Sequence, residues 1–475
     1  MSGVNRAVSI GKSTTSVIPY SKAFDGVRNE VFEPGGAVRP VYRKMVTNLE
    51  RLGLQELQTR WQSANRQVAL DSFTFQLDPL QFRPVPTDWL PRLIPRDHWE
   101  RIAAGVSQRM RAINQFLLDL YCGKQEIVPE KVVYSCKYYY PELRGVLPSK
   151  DLFAHIYGID LVHMGEGKYV VLEDNLRIPS GISYQLKCCE IGEKVLPELG
   201  DGYQIIPHDF KRTYLQMFAS LCDNTSPRCV LLTDSKYGSA FFEHRYLSRL
   251  LGFPLVEGSD LYVGPNGRVW ARALGGDFEV DLIYRRVEEL DLFVRGLTEA
   301  YRNGKVVLVN AMGTGAADDK LVFLWVPEMI RHYLGEEPIL QQATSYYMLN
   351  PEQRRFVLQN LGKLVLKTRD GYGGLGVYVV PDMGPAYQTE LARMVVEQSH
   401  SMIAQETLNF SKHLVFDEET GRFRERYVDL RAYAVQDGKG EVTVFPGGLT
   451  RVSLPNSRIT NNSSGGLCKG TWVVR

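Results

Sequence analysis

The stretch VLKTRDGYGGLGVYVV (Val365–Val380) places four glycines between two apolar runs, with Lys367 in the first run. Its core, Gly371–Gly376, matches G-x-G-x-x-G, but a dinucleotide-binding fold requires a helix next, and here VYVVP indicates a strand. A protein-kinase loop also lies between strands, but its lysine lies downstream and H-R-D and D-F-G motifs follow. Neither motif occurs in this sequence, where the nearest match is GDFEV.

The stretch is therefore predicted to be a glycine-rich hairpin with a lysine on the incoming strand. Glycines let a backbone approach an anion closely and aim N–H groups at it, and Lys367 adds a positive charge. The alternative is a flexible β-turn with a surface lysine, and the loop alone does not decide between them. A second candidate, GKST (Gly11–Thr14), is discarded because Arg6 stands where a P-loop needs glycine.

Composition and charge exclude several classes of protein. The 475 residues correspond to about three domains, and 44% hydrophobic with 23% charged residues is ordinary for a soluble globular chain. A net charge of +2 without a Lys/Arg block argues against a nucleic-acid surface. No apolar stretch approaches the ~20 residues that cross a bilayer, and no secretory signal is seen. Seven cysteines without framework spacing suit a reducing compartment, so we expect a cytoplasmic protein with no nucleic-acid or membrane partner.

The N-terminal region, residues 1–145, is predicted to be mostly helical. RDHWERIAAGVSQRMRAINQFLLDLYCGK predicts a helix with Asp97 as N-cap, Glu100 three residues on, and Gly123 as its stop. One face of that helix is expected in the core: Val106, Met110, Ile113, Leu117 and Leu120.

Three further regions follow. Residues 146–225 contain IYGIDLVHMGEGKYVVLEDN, which alternates around a Gly-Glu-Gly turn and predicts a β-hairpin. Residues 226–345 alternate strands such as CVLLTD and VVLVN with the helix FFEHRYLSRLLG, which is typical of α/β structure with a parallel sheet. Residues 346–475 are strand-rich and carry most of the chemistry-bearing motifs.

The predicted hairpin carries a candidate metal site. If its turn is residues 164–167, Asp160 lies opposite Val171, with Glu173 as its diagonal neighbour on the same face, ~7–8 Å away. Asn175 keeps that face, and oxygen-only ligands suit Mg²⁺ that is also held by phosphates. The alternative is a solvated polar hairpin face.

Together these motifs resemble those of the circularly permuted ATP-grasp family related to glutathionylspermidine synthetases. The resemblance covers about residues 30–475, and LEDN precedes KTRDGYGGLG, which is the permuted order. The matching motifs are VLEDNLRIPSGISY, VNAMGTGAADDKLVFLWVPEMIRHYLGEEPIL, LKTRDGYGGLGV, VDLRAY and PGGLTRV…NNSSGG…KGTWV. It implies an α/β fold: a circularly permuted ATP-grasp fold with a preceding α/β domain and an N-terminal helical region.

The resemblance also implies roles for individual residues. ATP phosphates would be bound by Lys320 and Lys367 under a glycine loop of Gly371, Gly373, Gly374 and Gly376. Adenine and ribose would meet the backbone near Gln405 and Glu406, and the Mg²⁺ ligands would be Asp160, Glu173 and Asn175. The arginines that steady the transferred phosphoryl group or acyl phosphate would be Arg431 and Arg451. The residues that close the pocket would be Asn462 and Ser463.

Several of these residues have structural alternatives. Asp318 and Asp319 could favour a helix N-terminus electrostatically, and Arg431 could lie on the exposed face of an edge strand. Arg285 and Arg286 could be structural or could bind substrate. The sequence also departs from the family pattern at Thr368, at Cys468 and Gly470 in the tail motif, and in RRVEELDLFVRG, which bears on the substrate.

The function implied is an ATP- and Mg²⁺-dependent ligase that activates a small-molecule or peptide carboxylate as an acyl phosphate and joins it to an amine. A phosphotransferase and a non-catalytic ATP-binding regulatory protein remain as alternatives. The acid, the amine and the oligomeric state stay open.

Overall fold

The computed structural model describes residues 28–78, 81–236, 238–288, 293–369, 371, 375–461 and 465–475. The discarded GKST stretch lies outside them. Among the described residues, no helix is both long and apolar enough to span a bilayer.

The first region contains α-helices, one antiparallel strand pair and a third strand that leads into a long helix. Its elements are α1 (Arg43–Leu52), α2 (Leu54–Leu70), β1 (Thr74–Asp78), β2 (Gln81–Pro84), β3 (Thr87–Pro95), α3 (Arg96–Cys122) and α4 (Glu130–Tyr134). The predicted core face of α3 is confirmed, because each of its five residues is at most 4% exposed. The predicted stop at Gly123 is also confirmed.

The start of α3 differs from the prediction. Its N-cap is Pro95 and makes no side-chain capping bond, while Asp97 lies in the first turn. Strand β3 runs directly into the helix, so the helix begins earlier than the capping pattern indicated. Glu100 instead pairs with Arg96 at 2.6 Å, one helical turn away.

Strand β3 itself was missed by the interpretation of this region as mostly helical. Eight of its nine residues are buried, so its sequence lacks the alternation that marks a half-exposed strand. It pairs in parallel with the last strand of the chain.

The second region contains the predicted hairpin and two helices: β4 (Ile156–His163), β5 (Tyr169–Asn175), α5 (Ile182–Val195) and α6 (Phe210–Ser220). The third region is the predicted α/β unit: β6 (Cys229–Leu232), α7 (Phe241–Leu251), β7 (Leu255–Val256), β8 (Leu261–Val263), β9 (Val269–Ala271), β10 (Phe278–Val280), β11 (Leu282–Arg285), α8 (Leu297–Arg302), β12 (Val307–Val309), α9 (Val326–Met329) and β13 (Gln341–Gln342). Its sheet, in the order β12-β11-β6-β7, is parallel throughout, as predicted.

The last region is strand-rich: β14 (Ser345–Tyr347), α10 (Pro351–Gln359), β15 (Leu364–Thr368), β16 (Val377–Val379), α11 (Pro385–Glu397), β17 (Met402–Glu406), β18 (Lys412–Asp417), β19 (Arg422–Gln436), β20 (Val442–Val444), β21 (Leu449–Val452) and β22 (Leu467–Val474). The glycine-rich stretch joins β15 to β16, which pair antiparallel, so the predicted hairpin is confirmed. A four-stranded sheet results, in the order β14-β17-β15-β16.

A nine-stranded sheet joins the two ends of the chain. Its main order is β13-β5-β4-β19-β21-β22-β3, with β18 and β20 also paired to β19. The β4–β5 hairpin therefore lies directly beside β19, a strand that comes more than 250 residues later. The fold is mixed α/β, as predicted.

Candidate active site

A cleft of about 730 Å³ is lined by residues of both the nine-stranded and the four-stranded sheet. Part of its wall is apolar, formed by Leu172, Val365, Val377, Val379, Leu408 and Phe410. The polar lining includes every metal candidate, both candidate lysines and both candidate arginines: Asp160, Glu173, Asn175, Lys320, Lys367, Arg431 and Arg451. The structure thus brings together residues that are scattered over the sequence.

The register of the β4–β5 hairpin differs from the prediction. Asp160 pairs directly with Glu173, where the sequence had placed it opposite Val171. The turn is one residue longer, since His163 pairs with Tyr169, and a β-bulge lies between Asp160 and Leu161, where Leu172 is the extra residue on β5. One extra residue in the turn and one at the bulge together preserve the side-chain alternation, so both carboxylates still line the cleft.

Asp160 is held by two arginines from neighbouring strands. Arg431 lies directly across from Asp160 and makes a bidentate contact, with Nε 2.6 Å from Oδ1 and Nη2 2.8 Å from Oδ2. Nη2 of Arg451 lies 2.9 Å from Oδ2. Burial of Asp160 opposes ionisation, but the two guanidinium groups outweigh it and hold the pKa of this carboxyl below its ordinary value.

Asp429 is a site residue that the sequence reasoning missed. It pairs across the sheet with Arg451, whose Nε donates to Oδ1 at 3.0 Å and whose Nη2 donates to Oδ2 at 2.5 Å. Burial raises the pKa of Asp429 despite this arginine. The alternation in VDLRAY carried the signal, because Asp429 and Arg431 are two residues apart on one strand face.

Both candidate lysines lie near Glu173. Nζ of Lys320 lies 3.1 Å from Oε1 of Glu173 and donates to the carbonyl of Gly371 at 2.5 Å. Nζ of Lys367 lies 3.4 Å from the carbonyl oxygen of Leu172. Burial opposes ionisation of Glu173, but the two ammonium groups outweigh it and lower the pKa of its carboxyl. The lysine of the glycine-rich hairpin therefore lies in the cleft, next to a carboxylate.

Burial lowers the pKa of Lys367 to about 8, with Glu173 only partly offsetting the cost. Between that value and the ordinary 10.5, the unfolded chain holds a proton that the folded chain has released, so this group makes stability rise with pH. Lys367→Met removes the buried charge, and at pH 7 we expect the free protein to gain about 1–3 kcal/mol in unfolding free energy. That gain is expected to shrink as the pH rises from 8 to 10.

Urea midpoints of both proteins, measured from pH 7 to 10 in EDTA, check this expectation. The thiol and phenol groups titrate equally in the two proteins, so the difference between the two midpoint curves reports on Lys367. Parallel curves would contradict the lowered pKa.

Asn175 completes the oxygen-bearing face of the hairpin. Its Oδ1 accepts a hydrogen bond from Nη2 of Arg431 at 3.3 Å, and its buried Nδ2 has no hydrogen-bond partner among the described residues. Within that same set, no three His, Cys, Asp or Glu side chains are grouped so as to hold a metal ion. A metal here would therefore take two carboxylates and this amide.

Asp318 and Asp319 differ in position, and only Asp319 lies just ahead of a helical segment (Val322–Trp325), where its Oδ1 accepts from the amide of Leu321 at 2.8 Å. Oδ1 of Asp318 accepts from the amides of Leu176 and Arg177 at 2.6 and 3.3 Å and so fixes the chain after β5. Asp319 pairs with Arg369 at 2.6 Å, which ties the end of β15 to the segment that carries Lys320.

Arg285 and Arg286 are buried, and both donate hydrogen bonds to backbone carbonyl groups. Arg285 donates to the carbonyls of Asn310 and Ala311 at 2.6 and 3.0 Å. Arg286 pairs with the fully buried Glu243 at 2.9 Å and donates to the carbonyl of Pro179 at 2.7 Å. Neither lines the cleft, so the structure favours the structural alternative for both.

The remaining candidates lie at the apolar part of the cleft or outside the described residues. Gln405 and Glu406 line the cleft, where Gln405 donates to Ser345 and Glu406 accepts from Tyr346. Gly376 has φ +74°, and a Cβ there would collide with Thr368, the residue that follows the lysine. Four candidates lie outside the described residues: Gly373, Gly374, Asn462 and Ser463.

Residues 91–453 match the sequence model of a family described as circularly permuted ATP-grasp type 2. The chain is 37% identical to an uncharacterized protein of Mycobacterium tuberculosis, over 98% of this chain and 86% of that protein. It is also 37% identical to an uncharacterized protein of Synechocystis, over 94% of this chain and 97% of that protein.

Two further relatives carry more descriptive names. A Frankia casuarinae protein, provisionally named glutamate–cysteine ligase 2-2, is 37% identical over 94% of this chain but only 54% of its own length. The apo structure of a glutathione synthetase-like effector from Globodera pallida matches with a TM-score of 0.59 and 12% identity, over 88% of this chain and 97% of that one. That likeness concerns the fold alone.

Proposed function

Because the chain belongs to the circularly permuted ATP-grasp type 2 family, we propose that it is an ATP-dependent ligase that joins a carboxylate to an amine. The observation that carries the proposal is one cleft in which two lysines lie near Glu173 and two arginines flank Asp160. Residues 146–225 and 346–475 would form the ATP-grasp unit around the preceding α/β domain, residues 226–345.

The cleft suits ATP in both its polar and its apolar parts. Lys320 and Lys367 would bind the phosphates, since both ammonium groups are largely buried beside the glycine-rich hairpin. The apolar wall beside Gln405 and Glu406 suits an adenine ring. In the free protein these two ammonium groups share the carboxylate of Glu173, and phosphates would supply further negative charge.

The donor set also fits Mg²⁺, which prefers oxygen ligands and shares them with phosphates. Asp160, Glu173 and Asn175 would hold it through their side-chain oxygens, all of which belong to residues that line the cleft. Bound there, the ion would neutralise charge on the phosphates during transfer.

In the proposed reaction, a carboxylate oxygen of the acid attacks the γ-phosphorus of ATP, and the bond to the β-phosphate oxygen breaks to release ADP. The resulting acyl phosphate is attacked by the amine, which gives an amide, phosphate and a proton. Arg431 and Arg451 would stabilise the charge on the transferred phosphoryl group, a role suited to planar donors fixed by strands. Lys367 would bind the same group at its other side.

Each of the two alternative functions predicts a specific experimental result. A phosphotransferase would use the same cleft to phosphorylate an alcohol or a protein. A regulatory protein would bind ATP without releasing ADP, although the presence of Asp160, Glu173 and Asn175 together favours turnover. Glutamate enters as a probe because of the provisional name of the Frankia relative, which is almost twice as long as this chain.

The test is incubation with MgATP, hydroxylamine and a panel of acids, including glutamate and a small-metabolite extract, followed by mass spectrometry for ADP and hydroxamates. We expect ADP together with a hydroxamate, because hydroxylamine traps acyl phosphates. Lys367→Met should abolish both products and the MgATP-dependent rise in melting temperature. ADP without hydroxamate would favour the phosphotransferase, and ATP binding without ADP the regulatory protein.

A further inference from the structure

Arg177 is one of the cationic side chains of the cleft that the proposed reaction does not use. It lies two residues beyond β5 and lines the cleft with Lys137 and Tyr138. Its guanidinium carbon lies 3.9 Å from the centroid of the Tyr138 ring, within cation–π range.

The position of this arginine is built by its surroundings. Asp318 fixes the backbone at Arg177, as described above. Gly315 lies beneath the Arg177–Tyr138 pair, where a Cβ would come within 2.5 Å of Tyr138 Cβ and 3.1 Å of Arg177 Cδ. A side chain at position 315 would therefore displace the pair.

The hydrogen-bonding capacity of Arg177 is incompletely used. Its Nε is buried and has no hydrogen-bond partner among the described residues. The nearest carboxylate oxygen, Oδ2 of Asp318, lies 3.8 Å from Nε, and Asp318 already accepts two backbone amides. Lys137 adds a second cation 5.4 Å from the same ring, and no carboxylate within the described residues forms an ion pair with it. The pair of cations is thus suited to an anion from outside.

The direction of β5 indicates which anion this is. Leu172 belongs to the apolar wall, Glu173 and Asn175 to the phosphate region, and Arg177 comes next along the chain. Arg177 follows Asn175 by two residues, at a bend just beyond β5, and lines the same cleft, so it continues the order from apolar wall to phosphate region. In the proposed reaction the next place in that order belongs to the acid whose carboxylate attacks the γ-phosphate.

We propose that Arg177, seated on Tyr138 and assisted by Lys137, binds a second carboxylate of the acid substrate. The substrate is then a dicarboxylic acid or a peptide with a second free carboxylate, and a monocarboxylic acid is a poor substrate. The inference rests on the proposed function, since it assigns the acid to the far side of the phosphates. A planar guanidinium matches a carboxylate in bidentate geometry.

The test measures binding, so it does not depend on turnover. Protein saturated with MgADP would be titrated calorimetrically with succinate, glutarate, adipate and L-glutamate, and with butyrate, valerate and hexanoate as monocarboxylate counterparts. At least one dicarboxylate is expected to bind ten-fold or more tightly than its counterpart. Arg177→Gln should weaken that binding by about 10- to 100-fold, as loss of one charge-assisted pair does, and Arg177→Lys should restore part of it.

The matched control is Arg144→Gln, because Arg144 also lies over a tyrosine, Tyr134, but outside the cleft lining. This control variant should change neither the affinity for the acid nor the affinity for MgADP. Equal binding of monocarboxylates and dicarboxylates would overturn the inference. So would a loss of MgADP affinity in Arg177→Gln as large as the loss for the acid, since Arg177 would then belong to the nucleotide.

The two proposals fail separately. Hydroxamates formed equally well from monocarboxylates and dicarboxylates would leave the ligase intact and refute the second carboxylate. An Arg177-dependent preference for dicarboxylates without any hydroxamate would support the second-carboxylate site and refute the ligase.

Discussion

Glu173→Gln is expected to lower the kcat for acid-dependent ADP release by about 1000-fold, the scale on which removal of a transition-state charge partner acts. Glu173 is the only carboxylate within the described residues that lies within ion-pair distance of Lys320, and it also contributes to the field around Lys367. The substitution removes the charge of this proposed Mg²⁺ ligand while keeping the shape of its side chain. The measurement is steady-state ADP release at several Mg²⁺ concentrations, with circular dichroism to show that the fold is intact.

The matched control is Glu56→Gln on α2, which removes one carboxylate from an exposed i,i+4 pair with Arg60. Its kcat should stay within two-fold of the wild-type value, because screened surface pairs contribute little. Retention of more than a tenth of kcat in Glu173→Gln would remove the hairpin from the proposed metal site.

Arg286→Met is expected to lower the unfolding free energy by about 3–5 kcal/mol, the range measured when one partner of a buried ion pair is removed. The pair is almost wholly buried, with Arg286 1% and Glu243 0% exposed. Oε2 of Glu243 also accepts from the amides of Gly181 and Ser183 at 2.8 and 3.2 Å, at the start of α5. Loss of the arginine leaves a buried charge and loosens a segment that lines the cleft.

Urea denaturation followed by circular dichroism measures this effect. Arg302→Met breaks an exposed pair with Glu299 and should shift stability by no more than about 0.5 kcal/mol. The double variant Arg286→Met/Glu243→Gln should recover part of the loss, since the stranded charge is gone. A single variant as stable as Arg302→Met would show that the backbone amides alone satisfy Glu243.

The features predicted correctly from sequence depend on short-range patterns. The core face of α3 follows from a 3.6-residue period, and the β4–β5 and β15–β16 hairpins follow from alternation around glycine turns. Several site residues followed from the family resemblance and not from patterns. Lys320, for example, reaches Glu173 only because the ADDK segment packs beside β5.

What escaped the sequence depends on distant contacts. The bulge at Leu172, opposite the Asp160–Leu161 step, changes the register, and no residue type there predicts it. Strand β3 was missed because β22, near the end of the chain, and the surrounding core bury both its faces. Asp429 was overlooked because its role appears only when Arg451 lies opposite. The roles of Arg285 and Arg286 required knowing which backbone carbonyls and carboxylate surround them.

The direct pairing of Asp160 with Glu173 has a consequence for how the protein is assembled during synthesis. Like charges on facing strands repel, and the arginine that relieves this repulsion at Asp160 lies 271 residues further along the chain. Until β19 has emerged from the ribosome and docked, the hairpin carries two acids with no cation from that strand, and it gains nothing from bringing them together. Closure of so long a loop is slow, so completion of the nine-stranded sheet and completion of the cleft become one late event.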